Sequence, residues 1–381
     1  MIKLQTNFIR VLSRLFAGYF FLVFTFSVFS QETLVFESGK DGNATYRIPA
    51  IIKLKSGKLL AFAEGRRKGA GDFADVNIVL KTSVDNGKSW SEMKDVAENG
   101  DLQAGNPAPV VDYFDKNFPQ GRIFLFYNTG NNTEAQVRKG NGNREVWYKT
   151  SVDEGKNWSE SVKISDQVKM SDWRSYANTP GHALQITKGK FKGRIIVPFN
   201  YSKGEPNKDF SDYMATVFYS DDHGKTFRIS NDIGIKGSNE STAAELPNNG
   251  ILLNSRNQKG DEKYRIFARS MNGGESWNEV GFDKNLPDPV CQGSLLNLTD
   301  KIIAFSNNAD QNNRNNLTLR ISFDEGNTWA KNIMVDGKEN PKPNEDFTAY
   351  SDLVLIDKNR VGILYEKEDY KKIVFKIIKW K

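Results

Sequence analysis

The chain has a single cysteine, Cys291, among 381 residues, so no internal disulfide is available. Stability must then come from a buried core, which a chain of this length can build. No run of apolar residues reaches the length of a membrane span: Leu15 to Phe29 is about 15 residues where roughly 20 are needed. Charge of one sign is also scarce. The net charge of +6 falls to +3 once residues 1–30 are set aside, because Lys3, Arg10 and Arg14 lie there without an acidic residue. A balance this mild argues against nucleic acid as the main partner, while leaving room for a local basic site. Beyond residue 30 there is no Pro/Gly/Ser-rich linker and no long stretch of helical periodicity, so helical bundles and multi-domain chains are disfavoured.

What is present at the start is a secretory pattern. The basic residues Lys3, Arg10 and Arg14 precede the short apolar run, and the small residue Ser30 follows it. Residues 1–30 are expected to be a signal peptide, with an uncleaved anchor as the alternative; no cysteine lies nearby to carry a lipid. Residues 31–381 are expected to be one secreted or periplasmic domain with no membrane span after cleavage.

That domain is organised by recurrence. The frame Ser-x-Asp-x-Gly-x-x-Trp occurs at Ser83 to Trp90, Ser151 to Trp158 and Ser322 to Trp329. Looser copies run from Ser220 to Phe227 and from Ser270 to Trp277, the latter with Asn272 in place of Asp. Each copy follows a strand-like run; Asn316 to Ile321 alternates polar and apolar residues throughout. Ser and Asp side chains cap the backbone N–H groups of a turn, and Gly supplies a positive φ. The frames therefore report architecture and carry no chemistry. Recurrence at steps of 50 to 69 residues predicts an array of like modules. Six modules of roughly 58 residues, four short strands each, would fill residues 31–381. Thr33 to Glu37, Val361 to Tyr365 and Ile373 to Ile378 read as strands, and the expectation is an all-β, six-bladed β-propeller, closed by pairing the first of these with the last.

Candidate chemistry lies elsewhere. Tyr46-Arg47-Ile48-Pro49 follows the first strand, and the residue before a proline is expected to be extended, holding the segment straight. Arg256 ends Leu252-Leu253-Asn254-Ser255, and Arg314 lies in the polar run before Leu317. Three arginines from three modules can converge only near the axis, where guanidinium forks would grip a carboxylate.

These features, with Leu60-Ala61-Phe62-Ala63-Glu64-Gly65-Arg66, resemble the exo-α-sialidases (neuraminidases) of the bacterial and animal type, in order and over the whole chain after the leader. The resemblance implies an arginine triad at Arg47, Arg256 and Arg314, and an acid/base at Asp72, preferred to Asp75 by its spacing from Arg47. It implies a further binding arginine at Arg66, with Arg67 competing, and a nucleophile at Tyr350 in Ala349-Tyr350-Ser351-Asp352. The partner base falls on Glu240 rather than Glu245, and Glu366 falls on the carboxylate that orients the first arginine. Pro180-Gly181-His182 resembles a loop near the acetamido end of the sugar.

The chemistry agrees with the residue types. Sialic acid carries a carboxylate on its anomeric carbon, which would repel a carboxylate nucleophile but not a neutral phenol. Tyrosine, with an ordinary pKa near 10, needs a base beside it. Sialidases with a tyrosine nucleophile are an exception to the two-carboxylate scheme of glycoside hydrolysis. The expected activity is retaining hydrolysis of terminal sialic acid from glycoproteins, glycolipids or oligosaccharides, with no cofactor and no metal. A trans-sialidase, intramolecular or not, would share every residue named. A sialic-acid-binding propeller without turnover would keep the arginines and lose Asp72, Glu240 or Tyr350, all of which are present. Should Tyr350 not be the nucleophile, Tyr365 is the next tyrosine to consider.

Overall fold

A computed structural model describes residues 32–338 and 347–381. The leader expected over residues 1–30 lies outside the described residues. The described chain is almost wholly β, with two short helices, Glu134–Arg138 and Ser165–Val168. No helix among the described residues is long and apolar enough to cross a membrane.

The strands form successive antiparallel hairpins because each apolar run ends in a turn that its own side chains can satisfy. In the first recurrent frame Ser83 Oγ accepts the Gly87 N–H at 2.8 Å, and Asp85 Oδ1 accepts those of Lys88 and Ser89 at 3.0 Å. In the fourth, Asn272 Oδ1 takes the place of the carboxylate and accepts the Ser276 N–H at 3.0 Å. The frame glycines have φ near +80°, which frees the backbone to close. They also seat each turn on the sheet formed by an earlier part of the chain. A Cβ on Gly155 would lie 2.8 Å from Leu60, one on Gly224 2.6 Å from Phe124, and one on Gly326 2.6 Å from Leu252. The first turn closes the circle, since a Cβ on Gly87 would lie 2.3 Å from Phe375 in the last strand. Thr33–Glu37 completes that closure by pairing antiparallel with Lys372–Lys379, as expected, and forms the edge strand of that four-stranded sheet.

The expectation of six blades is corrected by the sheet topology. The described strands form five sheets, four of them blade-sized with four or five strands, and the fifth with eight. The eight-stranded sheet runs from Thr45–Lys53 to Val162–Lys163, because Val76 and Gln103 pair in parallel and splice two hairpin sets together. Division of chain length by a module size cannot register a joint of that kind. The arrangement is propeller-like and all-β, with four separate blades beside one double-width sheet. Apolar clusters fill the spaces between sheets; one unites Ile51, Ala61 and Val79 with Val354, Leu364 and Phe375 from the other end of the chain.

Two predictions follow from the turns. Trp158 packs edge-on against Phe62, ring centroids 6.0 Å apart. Trp158→Ala is expected to cost about 3 kcal/mol in chemical denaturation, while any activity of the folded protein, read as kcat and KM, stays within twofold; loss of activity at unchanged stability would contradict it. Asp153 is held at about 2 by the Asn157 backbone N–H, against burial, with help from the Asn157 and Ser151 side chains. A carboxylate lowered on folding contributes stability above about pH 4, where the unfolded aspartate is ionised, and loses it as pH falls towards that folded value. Melting temperatures from pH 7 to 2 should therefore fall less steeply for Asp153→Asn than for the wild type, from a lower start; parallel curves would refute this.

Candidate active site

Arg47, Glu240 and Tyr350 are each the third residue of an inner strand, in Thr45–Lys53, Ser238–Leu246 and Thr348–Asp357. Register breaks at all three places, between Arg47 and Ala50, between Ser238 and Ser241, and between Thr348 and Ser351. A bulge there re-aims the side chain out of the regular pleat. The expected straight Ile48-Pro49 segment is not found: Ile48 has φ +58°, left-handed rather than extended. Its N–H is drawn onto the Glu366 carboxylate at 2.8 Å, and that buried bond overrides the local preference. A β-branched residue at positive φ costs on the order of 1–3 kcal/mol, and such strain concentrates at functional sites.

Glu366, fully buried near the end of Arg360–Lys367, also accepts Arg47 Nε at 2.7 Å and the Tyr350 N–H at 3.2 Å. One carboxylate thus fixes an arginine, the bulge beside it and the strand that carries the tyrosine. Burial works against the charge on Arg47, but Glu366 outweighs it and holds the guanidinium protonated. Arg256, near the end of Gly250–Asn257, donates through Nη1 to Glu240 Oε2 at 2.8 Å and to the Tyr350 hydroxyl at 2.9 Å. The Tyr350 hydroxyl in turn donates to Glu240 Oε1 at 2.5 Å. Burial, followed by the negative charge of Glu240, holds the phenol well above its ordinary value, while Arg256 and Arg314 pull the other way. The tyrosine is therefore neutral at rest, with an acceptor for its proton already in contact.

Arg314 donates to the Val290 carbonyl and to the Tyr370 hydroxyl, both at 2.9 Å, and its guanidinium lies 5.6 Å from the Tyr350 ring centroid. Val290, like Ile48, is β-branched at positive φ, +57°. Arg47 lies 5.3 Å from the same ring. The three arginines therefore converge on Tyr350. Arg256 Nε is buried with no hydrogen-bond partner among the described residues.

Asp72 occupies the exposed loop beyond Leu59–Arg66 and pairs with Arg66 Nη1 at 2.8 Å. Arg66 is buried and also donates twice to Glu64, at 3.0 and 2.7 Å. Glu64 is the cross-strand partner of Arg47, so the Asp72–Arg66–Glu64 chain adjoins the arginine group. Arg67 differs: it is exposed and pairs with Asp75 and Asp95. Glu245 is placed well away along its strand, accepting the N–H groups of Thr187 and Lys188 at 3.0 Å. His182 is turned onto the buried Asp352, 2.7 Å from Nδ1 to Oδ1. Tyr365 faces the opposite way from Tyr350, its hydroxyl lying 2.6 Å from Glu32 Oε2 and 2.8 Å from Asp336 Oδ2. Asp112, Asp115 and His223 bring ligand-type atoms within 4.8 Å of one another. Their atoms are already engaged, Asp112 with His223 and Gln185, and Asp115 with Arg122, which makes the group a brace for the third frame.

The frames lie at the other ends of the strands. Ser270 is opposite Ile251, whereas Arg256 is at the far end of Gly250–Asn257; likewise Ser83 is opposite Leu59, and Arg66 ends that strand.

Residues 57–363 match the sequence model of the BNR repeat-like domain family. The exo-alpha-sialidase of Aspergillus fumigatus is 30% identical over 312 residues, which span 74% of this chain and 69% of that protein. The chain belongs to the sialidase family. A sialidase of Micromonospora viridifaciens is also 30% identical, over 350 residues, covering 86% of this chain but 51% of its own. The chain thus spans about half the length of that relative. Among solved structures, the Hadza microbial sialidase Hz136 superposes with a TM-score of 0.77 at 25% identity, over 92% of this chain and 68% of that one.

Within this sialidase-family site, sequence reasoning missed Tyr370. Its ring lies 3.8 Å from the Arg47 guanidinium while its hydroxyl meets Arg314. The only trace in the sequence is an aromatic residue in the last hairpin, between Glu366 and the closing strand.

Proposed function

We propose that the chain is an exo-α-sialidase that hydrolyses terminal sialic acid from glycoproteins, glycolipids or oligosaccharides with retention of configuration. The observation that carries this reading is the contact triangle of Tyr350, Glu240 and Arg256, with the phenol donating to the carboxylate at 2.5 Å. In the proposed reaction Arg47, Arg256 and Arg314 bind the carboxylate of the sugar, and Arg66 adds a further contact. The Tyr350 oxygen attacks the anomeric carbon as its proton passes to Glu240, and the bond to the leaving oxygen breaks as Asp72 protonates it. A tyrosyl–sugar intermediate results. Asp72, now a carboxylate, then takes a proton from water, whose oxygen displaces Tyr350, and Glu240 returns the phenol's proton. Asp72 suits the double role because its side chain is 78% exposed, open to leaving group and water, while Arg66 holds its position. We place the domain outside the cytoplasm, on the basic and apolar pattern of residues 1–30.

The test is release of free sialic acid from a fluorogenic sialoside, with the product identified by mass. Free sialic acid is the result expected of hydrolysis; an anhydro sugar or a new sialoside would show transfer instead, and no release would overturn the reading.

A further inference from the structure

The hairpin between Arg360–Lys367 and Lys372–Lys379 is built against the usual chemistry of tight turns. Three successive residues that all carry a Cβ, Glu368, Asp369 and Tyr370, have φ of +53°, +53° and +63°. Glycine or asparagine normally fills such positions. A strained conformation of this kind persists where surrounding contacts over-determine it, and is concentrated at functional sites. Here the Tyr370 carbonyl accepts Ser38 Oγ at 2.8 Å, the Glu368 N–H donates to the Phe347 carbonyl at 3.0 Å, and the Phe347 ring stands edge-on to Tyr370 at 4.8 Å. The turn thereby delivers a half-buried phenol between two cations. Its face lies on Arg47, 3.8 Å from guanidinium to ring centroid, and its oxygen accepts Arg314 Nη1 at 2.9 Å.

We propose that Tyr370 is a positioning residue that sets the separation and tilt of Arg47 and Arg314, and so makes the site selective for a single planar carboxylate. The inference rests on the arginines being the carboxylate clamp described under Proposed function. Two guanidinium groups that face one anion repel each other before it arrives. A carboxylate placed between them would relieve the repulsion but would also occupy the clamp. A neutral phenol relieves it differently, offering a π face to one cation and a lone pair to the other. It leaves both charges available for the ligand. Glu366 fixes only Arg47, and the Val290 carbonyl only Arg314; the Tyr350 ring lies 5.3 and 5.6 Å from the two guanidinium groups, whereas Tyr370 meets both at closer range, through its face and its hydroxyl.

The experiment compares wild type, Tyr370→Phe and Tyr370→Ala on a fluorogenic sialoside and on its carboxylate methyl ester, reading the acid-to-ester ratio of kcat/KM. Phenylalanine keeps the face over Arg47 and removes the acceptor for Arg314; alanine removes both. The ratio is expected to fall about fivefold for Tyr370→Phe and about thirtyfold or more for Tyr370→Ala, through KM of the acid, with the ester's kcat/KM unchanged within twofold. Equal losses on acid and ester would show a merely structural residue and overturn the proposal, as would an unchanged ratio. If Tyr370→Ala does not fold, the phenylalanine variant decides by itself. Calorimetric titration with free sialic acid and its methyl ester separates this inference from the catalytic reading. Should the wild type cleave nothing yet bind the acid in preference to the ester, and Tyr370→Phe lose that preference, the clamp stands and the hydrolase reading falls; no preference in the wild type overturns the inference.

Discussion

Tyr350→Phe is expected to reduce kcat by roughly 10³-fold or more while the protein stays folded and KM stays within a few-fold. The substitution removes one oxygen and almost no volume. It deletes the atom that would attack the anomeric carbon and the donor that meets Glu240 at 2.5 Å. Arg256 keeps its bond to Glu240 at 2.8 Å, so neither charge is left without a partner. Arg47 keeps Glu366, and Arg314 keeps Val290 and Tyr370, so the proposed carboxylate clamp survives. The loss should therefore fall on turnover and spare ground-state binding. Steady-state kinetics with a fluorogenic sialoside, beside a melting curve, measure both. Wild-type turnover in the variant would remove Tyr350 from the reaction. Tyr365 could not replace it, since its hydroxyl is committed to Glu32 and Asp336.

Glu366→Gln should be the most damaging single change to stability among the site residues, at about 3–5 kcal/mol. The carboxylate is fully buried and serves Arg47 Nε, the Ile48 N–H and the Tyr350 N–H together. An amide of the same shape must present N–H groups to some of those donors, and it leaves the buried Arg47 charge uncompensated. The left-handed Ile48 loses what holds it, so the bulge that aims Arg47 relaxes. A higher KM is expected with the lower melting temperature, because the first arginine of the clamp would no longer be oriented. Denaturant titration and steady-state kinetics check the two halves; an unchanged midpoint together with an unchanged KM would show that Glu366 is not the anchor.

Much of this site was legible residue by residue. The three arginines stood out by their context, Tyr350, Glu240 and Glu366 through the resemblance to exo-α-sialidases, and the structure brings them into one contact network. Other assignments needed the folded chain. Arg66 and Arg67 are adjacent in sequence and equally basic, yet one is buried against Glu64 and Asp72 while the other pairs outwardly with Asp75 and Asp95. Glu240 and Glu245 share one strand, but only Glu240 lies at the end that meets Tyr350. Tyr370 was overlooked because its role depends on a left-handed turn formed by Glu368, Asp369 and Tyr370 itself, of which only the aspartate tolerates that conformation locally.

The sequence alone determined the recurrent turns, because their hydrogen bonds join residues two to four apart and are specified by Ser, Asp and Gly in a fixed order. It determined the all-β character for the same reason, through alternation within single strands. Tertiary structure decided how those strands are grouped: the parallel pairing of Val76 with Gln103 merges two hairpin sets into one eight-stranded sheet, against the count that module length predicts. It also decided the working contacts. Arg47 meets Glu366 across 319 residues, and Tyr350 meets Glu240 across 110. Such contacts form only after separate sheets have packed against one another, since local propensity acts over a few residues and cannot set the distance between strands that belong to different sheets.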